Sequence, residues 1–134
     1  MMKQIKITLP LFVMLPRKTI ADKKWIANLN NYSNIGWVML GQVKKEYAKL
    51  VGKAIFELWH FDKCELEFKY FHGNKRRVDK SNPCCVIEKF ACDELTKQGF
   101  WDDDDSEHIP VSKYVWGGVD KENPRCELTI KEIE

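Results

Sequence analysis

The chain has 134 residues, 44% of them hydrophobic, and a net charge of only +2. That length suits one domain spanning residues 1–134 with a core of its own, and nothing in it argues for a second. The five cysteines are odd in number and have no Cys-x-x-Cys spacing, so neither a disulfide framework nor a zinc site is expected, and the thiols should be reduced and packed as small hydrophobes.

The charge is unevenly divided. Residues 1–80 carry 16 Lys/Arg against 7 Asp/Glu, or +9, while residues 81–134 carry 6 against 13, or −7. Such blocks are often solvated faces. A polyanionic partner also accounts for the basic half, provided that the acidic half holds a metal ion bridging to phosphate.

Lys6-Ile7-Thr8-Leu9 reads as a first strand ended by Pro10. The apolar run Leu9–Leu15 is broken by Pro10 and closed by Pro16, with no small-residue cleavage site after it; the expectation is a cytoplasmic chain with no signal peptide or membrane span. From Leu11 to Asn34 the sequence is rich in Pro, Lys and Asn without a clear period, which predicts a long loop. Trp25 and Tyr32 in that loop have two readings, as stacking surfaces for unpaired bases or as plugs at the edge of the core.

Trp37, Leu40, Val43, Tyr47, Leu50, Val51, Ala54 and Leu58 recur at three- and four-residue intervals with Gln42, Lys44, Lys45 and Lys49 between them. This predicts a long amphipathic helix with a basic outer face. Cys64–Phe71 alternates apolar and charged residues, the pattern of a half-buried strand. It leads into Lys75-Arg76-Arg77-Val78-Asp79-Lys80-Ser81-Asn82, a basic cluster closed by oxygen-bearing side chains.

Asn82 before Pro83 predicts a helix start, with Asn as the cap and Pro at the first helical position. The helix should run to Gln98, stop at Gly99 and bury Val86, Ile87, Phe90, Ala91 and Leu95. Lys89, seven residues from Asn82, is expected to point back toward the metal-ligand end. After the acidic run Asp102–Asp105, two further strands are expected over Pro110–Trp116 and Cys126–Ile133, joined hairpin-fashion from Gly117-Gly118 to Pro124. The order strand, loop, helix, strand, helix, strand, strand predicts an α+β fold, a small mixed sheet packed with two main helices.

Mg²⁺ takes oxygen ligands in octahedral geometry and keeps waters or substrate phosphate in part of its shell. Asp79, Asp103 and Asp104 are the candidate carboxylates, and Lys89 is the candidate for neutralising charge that develops on a phosphoryl group. The plainer alternatives are a solvated turn for the Asp run and a helix-supporting role for Asp79. Lys75, Arg76 and Arg77, with Lys44 and Lys45 on the helix face, are the candidate phosphate contacts. His60, His72 and His108 read as surface or packing residues, although His108, just beyond Asp104, could touch substrate phosphate.

Taken together these residues resemble the RusA-type Holliday junction resolvases, small homodimeric endonucleases often encoded by phages and prophages. The resemblance lies in Lys75–Asn82 as a basic stretch followed by Asp-x-Asp-Asn, in Lys89 on the next helix, in Asp93–Trp101 as an Asp-x-Leu-x-x-x-Gly helix exit, and in the Asp pair beyond it. Ile5–Pro10 is similar to the family's opening strand, and Asn30-Asn31-Tyr32 to the loop that follows it.

The resemblance implies an α+β homodimer that binds branched DNA and cuts four-way junctions symmetrically with Mg²⁺, Mn²⁺ being a substitute. It implies Asp79 and Asp104 as catalytic carboxylates with Lys89 as the active-site lysine, a metal held by Asp79, Ser81, Asp103 and Asp104, and Asn82 among the DNA-contacting residues. Ser81 stands where the family motif has its second Asp, and a hydroxyl is a neutral, weaker Mg²⁺ ligand. Either Ser81 ligates through its oxygen or a water while Asp103, Asp102 or Glu88 restores the charge, or the chain binds junctions and has given up the chemistry.

Overall fold

The computed structural model of the chain describes residues 2–134. The opening strand β1 (Gln4–Leu9) turns Ile7 and Leu9 inward at period two and ends at Pro10. The segment expected to be a loop is structured. Strands β2 (Phe12–Leu15) and β3 (Lys23–Ile26) pair antiparallel, with Val13 opposite Trp25, and a short helix α1 (Leu29–Ser33) follows. Four-residue strands and one helical turn are too short to show a period, so the pattern read as irregular.

Helix α2 (Trp37–Ala54) buries Val43, Tyr47 and Val51, and the Tyr47 hydroxyl donates to the Pro10 carbonyl (2.8 Å), fastening the helix to the end of β1. It stops four residues before the sequence pattern does. Ile55 turns to an extended conformation, and Trp37 and Leu58, both in the predicted apolar stripe, are 85% and 68% exposed. The chain leaves the helix there because Phe61 must reach the core, where its N–H donates to the Phe100 carbonyl (2.7 Å).

Strand β4 (Cys64–His72) alternates as expected, with Cys64, Leu66, Phe68 and Tyr70 on the buried face. Helix α3 (Ser81–Lys97) packs the predicted Val86, Ile87, Phe90, Ala91 and Leu95 into the core and adds Pro83, Cys84 and Cys92. Its C-terminus closes in a Schellman arrangement: Gly99 at φ +86° donates to the Thr96 carbonyl (3.1 Å) and Phe100 to the Leu95 carbonyl (3.0 Å).

Strands β5 (Val111–Val119) and β6 (Arg125–Glu132) complete a four-stranded sheet in the order β1-β6-β4-β5. β4 pairs with β5 in parallel and with β6 antiparallel, so the sheet is mixed and α3 is the crossover between parallel neighbours. The fold is α+β. β5 and β6 are not hairpin partners, because β4 lies between them. Gly117 and Gly118, expected in a connection, belong to β5. The Phe71 ring approaches so closely that a Cβ on Gly117 would lie 2.8 Å from it, and Gly118 sits at φ +117°, which places a bulge in the pairing after Tyr70. Among the described residues, no helix is long and apolar enough to cross a membrane.

Candidate nucleic-acid interface

Two groups of candidate side chains flank α3. At its N-terminal end the chain leaves β4 through His72 and Gly73 and exposes Lys75, Arg76 and Arg77, with the Asn74 side chain accepting from the Arg76 N–H (2.9 Å). Asp79 Oδ1 accepts from the Ser81 N–H (3.1 Å), and its carbonyl accepts from the Asn82 N–H (3.0 Å). Asp79 thus supports the first turn, where unpaired N–H groups favour a carboxylate. Asn82 is not the cap. It lies inside the helix, and its Oδ1 accepts from the Leu29 N–H (2.9 Å), tying α1 to α3.

At the other end, Trp101 is buried and the four Asp residues after it are exposed. Asp103 Oδ1 accepts from the Asp104 N–H (2.8 Å). The Asp104 carboxyl is pushed above the usual carboxylate range, first by partial burial and then by Asp103 and Asp93. Asp105 Oδ1 accepts from the backbone N–H groups of Glu107 and His108 (3.1 Å each) and meets His108 Nδ1 at 2.6 Å. That pairing raises the imidazole pKa and lowers the carboxyl pKa. Glu88 accepts from the Tyr114 hydroxyl (2.6 Å).

The predicted single metal site is therefore divided within one chain. Asp79 precedes and Ser81 opens a helix of 17 residues, and Asp103 and Asp104 follow it, so about 25 Å of helix axis lies between the groups. The strands give the same answer: the Cys64 N–H at the start of β4 donates to the His108 carbonyl beside the acidic turn (2.8 Å), whereas Asp79 follows the end of β4. Lys89 is exposed eight residues beyond Ser81, about 12 Å along the axis, and so is mid-helix instead of at either acidic group. Among the described residues no group of three or more His, Cys, Asp or Glu side chains converges as a metal-binding cluster.

The basic candidates are divided as well. Lys44 and Lys45 line an open depression with Lys49 and Lys97, between α2 and the C-terminal half of α3. Arg77 lines a different feature, a cleft of about 510 Å³ bounded by the β2–β3 hairpin, α1 and the exit of β4. Asp79 and Asn82 open into the same cleft, and the structure adds Lys24, Asn28 and His72, which the sequence reading did not single out for it.

Beside the cleft His72 belongs to an aromatic group with Tyr70 and Trp116, with ring centroids 5.7–6.3 Å apart and the Tyr70 hydroxyl 3.0 Å from His72 Nδ1. Two-residue spacing puts Tyr70 and His72 on one face of β4, the only trace of this group in the sequence. Trp25 and Tyr32 instead pack against Phe90 at 6.0 and 6.1 Å, which makes them core-edge residues. No family model matches the chain, and no curated protein matches it.

Proposed function

We propose that the protein binds branched DNA and acts on it as a Mg²⁺-dependent, structure-selective endonuclease that resolves four-way junctions by phosphodiester hydrolysis. The observation that supports this reading best is the cleft at the start of α3, which joins a carboxylate to cationic and amide side chains. Arg77 and Lys24 supply phosphate contacts, and exposed Lys75 and Arg76 extend the positive surface beside them.

Asp79 keeps one carboxylate oxygen beyond its bond to Ser81, and the Ser81 hydroxyl is near in sequence. Such a small oxygen set suits Mg²⁺, which retains several waters. The ion, when bound, supplies Lewis acidity to a phosphoryl oxygen. Asp79 would hold it, while Arg77 and Lys24 would orient the phosphate and offset its charge. Asp104 is too far along the chain's own helix to join them. In a two-fold homodimer the partner subunit's acidic turn would be the source of further carboxylates, and two sites would address two strands.

The division of the acidic groups and the Ser at position 81 favour a second reading, junction binding without cleavage. Incubating a labelled synthetic four-way junction in Mg²⁺ or Mn²⁺ separates the two. The endonuclease gives paired cuts that disappear in Asp79→Asn and Asp104→Asn. Binding without cuts, with cleavage gained in Ser81→Asp, establishes the second reading. No binding of branched or duplex DNA at low salt overturns both.

A further inference from the structure

We infer that the cleft beside Asp79 receives a single unstacked nucleotide of a DNA strand, with the base inside and its phosphate against Lys24 and Arg77. The inference rests on the DNA-binding reading and adds what that site recognises. The volume of about 510 Å³ falls among small-ligand sites of roughly 300–1,000 Å³. A base held in a duplex cannot enter such a space without leaving its stack.

The lining has the chemistry of a nucleotide. Leu11, Ile26, Val78 and Pro83 supply apolar surface for the faces of a base, and Lys24 and Arg77 supply the cations for its phosphate. Asn28 and Asn82 also line the cleft. The Oδ1 of each accepts a backbone N–H, from Asn31 (2.8 Å) and Leu29 (2.9 Å) respectively. Those bonds fix both carboxamides, and among the described residues neither NH₂ group has a protein acceptor. Two oriented donors are therefore available to the acceptor atoms on a base edge.

His72 forms part of the cleft wall, and Trp116, 45% exposed and 6.3 Å from it by ring centroid, continues the aromatic surface outward. Aromatic surface next to cationic groups is the recurring means of holding unpaired bases. A flat duplex-binding face needs neither a concave pocket nor immobilised amide donors.

The test compares three labelled duplexes by fluorescence anisotropy: one with a single unpaired adenosine, one with an abasic residue at the same bulge, and one fully paired. The expected result is about tenfold tighter binding of the adenosine bulge than of the abasic bulge, from the stacking and edge contacts of one base. Ile26→Trp, which fills the cleft from a half-exposed position, and His72→Ala should each bring that ratio toward one. Arg76→Ala should weaken all three complexes and leave the ratio unchanged. Equal affinity for the two bulges in the unaltered protein overturns the inference, as does a ratio that survives both cleft variants. Free deoxyadenosine monophosphate competing as strongly as the bulged duplex overturns the assignment to a DNA strand. A protein that binds none of the three duplexes fails at the DNA reading itself.

Discussion

Asp105 and His108 show how one residue in an acidic run acquires a task that its neighbours lack. All four Asp residues are exposed, but three donors converge on Asp105 Oδ1, so this Asp organises the turn, whereas Asp103 accepts a single backbone N–H. Because its folded pKa is raised, His108 contributes stability below its unfolded value of about 6.5, and that contribution is lost as pH rises through the folded value. Asp105 has a lowered folded pKa, so its contribution is present above the unfolded value of about 3.9 and is lost as pH falls through the folded value. A ¹H–¹⁵N titration of the imidazoles should give His108 a higher midpoint in the wild type than in Asp105→Asn. Thiol chemistry offers a second check at this scale. Burial pushes the Cys64 thiol up to about 11 and raises Cys92 further, while the hydrogen bond with Cys84, followed by burial, raises Cys126, so a mild alkylating agent at pH 8 should label the half-buried Cys85 first and leave those three intact until the protein unfolds. Labelling of Cys64 at the rate of a free thiol would contradict the packing around β4.

Single residues also decide how the elements end. Gly99 has a positive φ at the exit of α3, and Gly99→Ala should cost about 1–2 kcal/mol in urea unfolding because an L side chain is crowded in that conformation. At the other end of the helix, Asn82→Ala should leave α3 in place and destabilise the protein by about 0.5–2 kcal/mol, since the bond it removes caps the N-terminal turn of α1. Far-UV circular dichroism that showed loss of most of α3 in this variant would mean that Asn82 starts that helix after all. The sequence identified α3 nearly to the residue because its stripe, Pro83 and Gly99 all agree. It overran α2 because Leu58 continued the period even though the chain had to turn inward at Phe61. It missed the β2–β3 hairpin because four residues cannot display an alternation against a background of Lys and Pro.

At the scale of the whole molecule, α3 is both the strut of the fold and the spacer of the site. As the crossover between parallel β4 and β5 it returns the chain across the sheet, which puts residues leaving β4 and residues entering β5 at opposite ends. The basic surface is distributed the same way, with Arg77 near one end and Lys44, Lys45 and Lys97 near the other. For DNA lying along both patches, Arg77→Ala and Lys45→Ala should each weaken binding and reduce the slope of log K against log salt by about 1; an unchanged slope for Lys45→Ala would restrict the interface to the Arg77 end. The sequence by itself determined the α+β class, the alternating strand β4, the core face of α3 and the exposure of the Lys75–Arg77 cluster. Each of these follows from a local period or from turn chemistry carried within a few residues. Only the tertiary structure decided that Asp79 and Asp104 are separated, that β5 pairs with β4 instead of β6, and that Lys24, Asn28, His72 and Asp79 open into one cleft. The length of α3 was legible in the sequence, but which strands pair and which loops meet around its ends depends on contacts between residues far apart in the chain, and their spacing does not encode those contacts.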